Sequence, residues 1–283
     1  MTLTSFKDLP PNIELASHLS LLREDARIIA VNKPAGVHSE PNPGSTNDTR
    51  TVAHAMAALY PEARPLHRLD RGTSGVLLYA RTDSAFTELR HHWRDRTIEK
   101  DYLTWVDGCF TAEGTLEIPL AHSPKSKKRM IVPQRHQLAQ IKSWPTKTTI
   151  VSVYNSTTHT LLWVRIHTGV THQIRATLAA LGHCVLGDPI YKSAPKPLGG
   201  YSFTGLTPQS KSEYQHLIQK LFSKNLGGSH SSSQDLKQNP EPHSHLVADH
   251  GFFLHAYRLS GEGLADFEGS PIVAPPPIWF GLY

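Results

Sequence analysis

Residues 67–82 read HRLDRGTSGVLLYART. The second half, Val76 to Ala80, is an uninterrupted apolar run of strand length, whereas PLHRLDRGTSG at 65–75 is too polar and glycine-bearing for a regular element. A loop that feeds a buried strand suits chemistry, because the scaffold holds it while its side chains stay reachable. If the loop is extended, Arg68 and Asp70 project one way and Leu69 and Arg71 the other, so that Leu69 can anchor it. The flanking arginines favour the ionised form of the Asp70 carboxylate, which suits a nucleophile or a base. Gly72 and Gly75 let a bulky ligand approach the backbone. Arg-x-Asp is more commonly a surface ion-pair cluster, and these residues alone leave both readings open.

Working outward, RIIAV at 27–31 predicts a strand closed by the breaker-containing NKPAG. Residues 41–50 read as a loop, and Thr51 to Tyr60 as a short helix that stops before Pro61. Asp83 can cap the next helix, in which Phe86, Leu89 and Trp93 recur at helical spacing and face the core, while Arg90, Arg94 and Arg96 stay solvated. DYLTWVD alternates as a strand should, with Tyr102, Thr104 and Val106 on one face and Leu103 and Trp105 on the other. Strands are predicted at 149–154 and 160–166. Thr171 can then cap a helix with an Ile174, Leu178 and Leu181 stripe, and Gly182 sits where a left-handed residue ends it.

From Ser193 to Val247 the composition turns to SAPKPLGG, GGSHSSSQ and KQNPEPHSH, with one helix expected at 211–222. Such a segment buries little, so it is expected to be a partly disordered surface insertion. GFFLHAYRL at 251–259 predicts a final strand. Strands that follow one another without intervening helices point to an α+β fold, a mixed and mostly antiparallel sheet flanked by helices. The expected organisation is an N-terminal extension over residues 1–20 and one catalytic domain over 21–283, with the insertion inside it.

The 283 residues are 39% hydrophobic and 19% charged with a formal net charge of +5, which is globular and compatible with a polyanionic partner. Cys109 and Cys184 are far apart and read as buried thiols, not a disulfide framework. No run approaches the roughly 20 apolar residues of a membrane helix, and the N-terminus has no signal-peptide pattern, so a cytoplasmic location is expected.

The stretch 67–82 resembles the signature of the RluA-type pseudouridine synthases, and VNKPAGVHSEP at 31–41, KDYLTWVDG at 100–108 and THQIRATLAALGHCVLGDPIY at 171–191 agree with that family in order. LHAYRL at 254–259 is similar to its closing strand. The resemblance spans about residues 20–192 and 250–265. It implies isomerisation of uridine to pseudouridine in a structured ribosomal or transfer RNA, without a cofactor, by a monomeric enzyme. By position it makes Asp70 the catalytic aspartate, Tyr102 the tyrosine beside the target base and Arg175 the basic residue that pairs with the aspartate. Val170 and Thr177 depart from the family, which often carries arginine and histidine there.

The nucleotide must leave the RNA stack to meet the carboxylate. Arg68 and Arg71, and the run Lys125, Lys127, Lys128 and Arg129, are expected to grip phosphates, although such a run is more commonly a solvated loop. Three other classes compete: a non-catalytic RNA-binding protein of the same fold, a glycosidase with a second acid near Asp70, and a metal protein. For the last, His167 with His172 and His243 with His245 lack recognised zinc spacing, and no metal is expected.

Overall fold

A computed structural model describes residues 19–41, 51–192, 202–225, 252–264, 270–277 and 280–281. The chain divides into two compact units, one taking residues 1–102 and 249–275, the other residues 103–248 and 276–283. The expected loop over 41–50, except for Pro41, lies outside the described residues, as do most of the N-terminal extension and parts of the insertion.

The first unit contains β1 (Ser20–Glu24), β2 (Ile28–Lys33), α1 (Val52–Leu59), β3 (Arg64–Pro65), β4 (Ser74–Ala80), α2 (Asp83–Asp95), β10 (Leu254–Gly261), β11 (Ile272–Val273) and the start of β5 (Ile98–Asp107). Strand order is β1-β2-β4-β10-β5, with β3 beside β4 and β11 beside β10. Pairing is antiparallel from β1 through β4, and β4 runs parallel to β10. GFFLHAYRL is therefore the last long strand but not the last strand, since Ile272 and Val273 still pair with Arg258 and Leu259.

The apolar runs of β2 and β4 are continuous because both sheet faces are covered. Ile28, Ala30, Val76 and Leu78 meet Ala85 and Leu89 of α2, with Phe86 and Trp93 alongside. Ile29, Val31, Leu77 and Tyr79 meet Val52 and Met56 of α1. Alternation along the strand thus feeds two cores at once.

The cap of α2 is Thr82, whose hydroxyl accepts the Ala85 amide, and Asp83 falls in the first turn. The cap falls one residue earlier than expected, at Thr82, which leaves the Asp83 carboxylate in the first turn, where the helix dipole favours a negative charge, and there it takes a hydrogen bond from Arg64.

The second unit holds the end of β5, β6 (Gly114–Ser123), β7 (Ser126–Ile131), β8 (Ser143–Asn155), β9 (His159–Ile166), α3 (Gln173–Ala180) and α4 (Pro208–Asn225). Its order is β5-β9-β8-β6-β7, and the β9–β8, β8–β6 and β6–β7 pairs are antiparallel. All eight residues of α3 are buried, and its alanines pack against Leu116, Ile118 and Leu120 of β6. Its N-cap is His172 in a left-handed conformation (φ 54°), not Thr171, while Gly182 beyond its end is left-handed as expected (φ 94°).

One expectation is corrected here. Cys109 is exposed and only Cys184 is buried. The described part of the insertion is mostly exposed and carries α4 where a helix was expected at 211–222, anchored by Tyr214 and Leu221, which are buried at 4% and 1% exposure. Thr204 exchanges two 2.8 Å backbone hydrogen bonds with Thr115, and the Arg165 guanidinium bonds Glu213 at 3.0 Å while lying over the Tyr214 ring. Low average hydrophobicity concealed two well-spaced apolar anchors. No described helix is long and apolar enough to cross a membrane.

Candidate active site

The register of the first unit places the motif residues. Lys33 stands opposite Gly75 on the β2–β4 pair, so the segment leaving β2 and the loop entering β4 lie side by side. Gly75 (φ 112°) faces Ala256 across the parallel pair, and a Cβ there would come within 2.1 Å of the Ala256 carbonyl oxygen. Only glycine permits that approach. At Gly72 a Cβ would meet the Phe252 ring at 2.3 Å, so Phe252 backs the loop directly.

The chain around Asp70 is pinned on both sides. Leu69 is buried, and the Ser39 hydroxyl both donates to its carbonyl (2.9 Å) and accepts its amide (3.0 Å). The Arg71 carbonyl accepts the Gly36 amide (2.8 Å) and the Lys33 ammonium (3.2 Å), and Arg71 Nε donates to the Gly36 carbonyl (2.8 Å). The Asp70 carbonyl accepts the Thr73 amide at 3.1 Å, which turns the chain into β4. Asp70 itself is half-buried. As Leu69 faces inward, the anchoring expected from the alternating pattern is observed.

Lys33 is the residue that sequence reasoning missed. Its side chain is wholly buried, and its ammonium donates to the carbonyls of Pro34 (2.8 Å), Val37 (2.7 Å) and Arg71 (3.2 Å). Burial pulls its pKa down to about 7, opposed by the nearby Asp70 carboxylate and assisted by the Arg71 charge. A lysine inside an apolar strand, IIAVNK, was the available signal, because a buried ammonium requires partners. The arginines expected beside the aspartate do other work: Arg68 is exposed, 3.8 Å from Glu40, and Arg71 turns to Gly36.

Tyr102 lies in β5, partly buried against the cluster that contains Leu69. Burial, together with the Asp70 and Asp101 carboxylates, pushes its pKa above the ordinary tyrosine value, so at neutral pH it is a phenol able to donate. His67, three residues before Asp70, serves the scaffold: its Nε2 accepts the Leu78 amide (3.1 Å), its ring stacks on Trp93, and burial lowers its pKa to about 3.

In the second unit, Arg175 is buried and bidentate to Asp188 (2.6 and 2.9 Å), and its guanidinium lies over the Tyr191 ring. Asp188 also accepts the amides of Ile190 and Tyr191. The basic run occupies the β6–β7 hairpin and not an irregular loop. Lys125, Lys127 and Lys128 are exposed, while Arg129 turns inward over Tyr191. Among the described residues no group of three or more His, Cys, Asp or Glu could hold a metal ion.

A loop aspartate fixed by its backbone, beside a phenol and a buried ammonium, makes a carboxylate-centred site. The profile of the RNA pseudouridylate synthases matches residues 27–180, more than half of the chain, and the chain belongs to that family. It is 35% identical over 201 residues to an uncharacterized RNA pseudouridine synthase of Aquifex aeolicus, covering 67% of this chain and 61% of that protein. It is 33% identical over 207 residues to the ribosomal large subunit pseudouridine synthase D of Escherichia coli K12, covering 70% and 60%. The corresponding enzyme of Nitrosomonas europaea is 34% identical over 184 residues, 63% and 52%. The chain therefore spans about half to three-fifths of the length of these relatives.

The fold also matches the human RNA pseudouridylate synthase domain containing 4, with a TM-score of 0.62 at 18% identity over 93% of this chain and 90% of that one. For domain containing 1 the TM-score is 0.55 at 20% identity over 98% and 87%. These two structures bear out the α+β fold, while the family profile and the curated relatives bear out the resemblance to the pseudouridine synthases.

Proposed function

We propose that this chain isomerises uridine to pseudouridine in RNA. The observation that carries the reading is Asp70, held by backbone anchors on both sides and adjoining the Tyr102 phenol, inside the segment that matches the family. The reaction breaks the N1–C1′ bond, turns the uracil and forms a C5–C1′ bond, after which the C5 proton leaves. Atoms are conserved, and neither an oxidant nor a phosphoryl donor is required. One Asp70 oxygen attacks the sugar or base, or takes a sugar proton; both routes use the ionised carboxylate. Tyr102 sits beside the detached base and can assist the last proton transfer. Arg175 is the basic residue that the resemblance assigns to the site, and the Asp188 carboxylate fixes the plane of its guanidinium.

The substrate is a structured ribosomal or transfer RNA, presented by a flipped uridine in a loop where extrusion costs least. The ribosomal large subunit named for two relatives favours ribosomal RNA. Exposed Lys127 and Lys128, with Arg68, supply phosphate contacts. The protein works as a monomer in the cytoplasm. Tritium release from RNA carrying C5-labelled uridine tests the reading. Release with formation of pseudouridine is expected, whereas RNA binding without release would favour a non-catalytic RNA-binding protein.

A further inference from the structure

We propose that Lys100 and Arg96 form a phosphate subsite for the substrate RNA, which grips one phosphodiester of the strand beside the segment that carries Tyr102. This rests on the reading of the chain as an RNA pseudouridine synthase.

Three features carry it. Lys100 is only 5% exposed, yet among the described residues no oxygen accepts from its ammonium and no carboxylate pairs with it. The group lies 5.0 Å from the centroid of the Trp93 ring, which is itself stacked on His67 at 4.6 Å. That ring attracts the charge but leaves three N–H donors unmatched. The acidic neighbours in β5 are turned away, since Glu99 and Asp101 meet Arg258 at 3.7 and 2.7 Å. Second, the charge that acts on Lys100 is another cation. Burial and, after it, the Arg96 charge pull the Lys100 pKa down to about 8, which leaves the ammonium mostly charged at neutral pH. Arg96 is exposed and, among the described residues, has no ion-pair partner either. An anion held between two such cations relieves their repulsion and the desolvation of Lys100 together, and an ammonium with a guanidinium fork suits a phosphate. Third, Arg96 ends α2 in a left-handed conformation (φ 61°), where glycine is the unstrained choice. Such strain persists where the side chain serves a site. Lys100 and Tyr102 are alternate residues of β5, about 6.6 Å apart along the strand and on one face. RNA whose base reaches Tyr102 therefore brings an adjoining phosphate past Lys100.

A phosphate contact differs from a packing contact in its salt dependence. The probe is a fluorescein-labelled uridine dodecamer, and its affinity for the full chain is read by anisotropy from about 50 to about 300 mM KCl. Lys100→Met keeps the apolar stem over Trp93 and removes the charge, Lys100→Arg keeps the charge, and Arg96→Gln removes the second cation. For Lys100→Met the expected result is binding weaker by about threefold to thirtyfold at low salt, the loss of one charge-assisted contact. Its salt slope should be flatter by up to about 0.7, the share of one single-strand phosphate. Arg96→Gln should act in the same direction, and Lys100→Arg should bind within about threefold of the wild type with an unaltered slope.

A folded Lys100→Met protein with wild-type affinity and slope would overturn the proposal. So would an equal loss in Lys100→Arg and Lys100→Met, because packing on Trp93 and not charge would then be at stake. Should the variants fail to fold, the wild type still decides: acetylation of Lys100, mapped by mass spectrometry, should be slowed by the dodecamer and not by inorganic phosphate at the same phosphate concentration. A Lys100 that does not react in the free protein, or that RNA leaves unprotected, would refute the subsite. Equal protection by inorganic phosphate would overturn the assignment to RNA in favour of a free anion. Tritium release by the wild type is measured alongside. If none occurs while the dodecamer still protects Lys100, the proposed function fails and the subsite stands.

Discussion

Replacing Asp188 by asparagine should destabilise the second unit more than its near-identical size suggests. Both side chains of the Arg175–Asp188 pair are almost fully buried, at 3% and 0% exposure. Asp188 Oδ1 accepts Arg175 Nη2 and the amides of Ile190 and Tyr191, and Oδ2 accepts Arg175 Nε at 2.6 Å. In Asp188→Asn the amide oxygen best keeps the Oδ1 position, where three donors converge. Its NH2 group must then face Arg175 Nε, so a short charge-assisted bond becomes a contact between two donors. Removing one partner of a buried pair costs about 3–5 kcal/mol. For a unit of this size the melting temperature should fall by roughly 6–20 °C. Thermal and urea denaturation followed by circular dichroism measures it. The double variant Arg175→Met with Asp188→Asn should recover at least ~1 kcal/mol of the loss, because the unmatched cation is gone. A single variant within ~1 kcal/mol of wild type, or a double variant as unstable as the two losses summed, would refute this reasoning.

Three further outcomes are expected. Burial lowers the pKa of His255 to about 4 from 6.5; its ring bonds Ser74 Oγ at Nδ1 and the Ala274 carbonyl at Nε2. Its contribution is complete above pH 6.5 and is lost between pH 6.5 and 4, as the unfolded chain takes the proton first, by up to about 1.4 kcal/mol per pH unit. Urea midpoints across that range should therefore fall less steeply for His255→Gln than for wild type, and parallel slopes would contradict this. The Thr177 hydroxyl is buried without a hydrogen-bond partner, so Thr177→Val should leave stability unchanged or raise it by up to about 1 kcal/mol, as read by urea denaturation. Neutralising Lys127 and Lys128 together should reduce the salt dependence of RNA binding by up to about two units of slope if both touch phosphate, and an unaltered slope would assign them to bulk solvent.

How far the sequence could be read depended on whether a feature was local. The strand at Val76 to Ala80, the polar loop before it and the helix stripe of Leu89, Phe86 and Trp93 were legible, because periodicity and breakers act over a few residues. The inward anchor at Leu69 followed from alternation alone. Caps were less legible: Thr82 and Asp83 are adjacent and both competent, and His172 caps α3 through a left-handed backbone that no residue type announces. The charge environment of Asp70 could not be read locally. Arg68 and Arg71 are its neighbours in sequence, yet Lys33 is a cation brought near it by the β2–β4 register, a pairing between segments some 40 residues apart. The helix of the insertion was legible, but its anchors were not, since the average composition hides Tyr214 and Leu221, two turns apart on α4 and both buried.

The most direct test of the central claim is Asp70→Asn, which keeps the size of the side chain and removes the ionised oxygen that either route needs. Pseudouridine is measured by mass spectrometry of chemically labelled RNA after trace wild-type enzyme has been removed, alongside RNA affinity. No detectable pseudouridine is expected, with binding within roughly tenfold of wild type, or about 1.4 kcal/mol. Substantial turnover by the variant would contradict it.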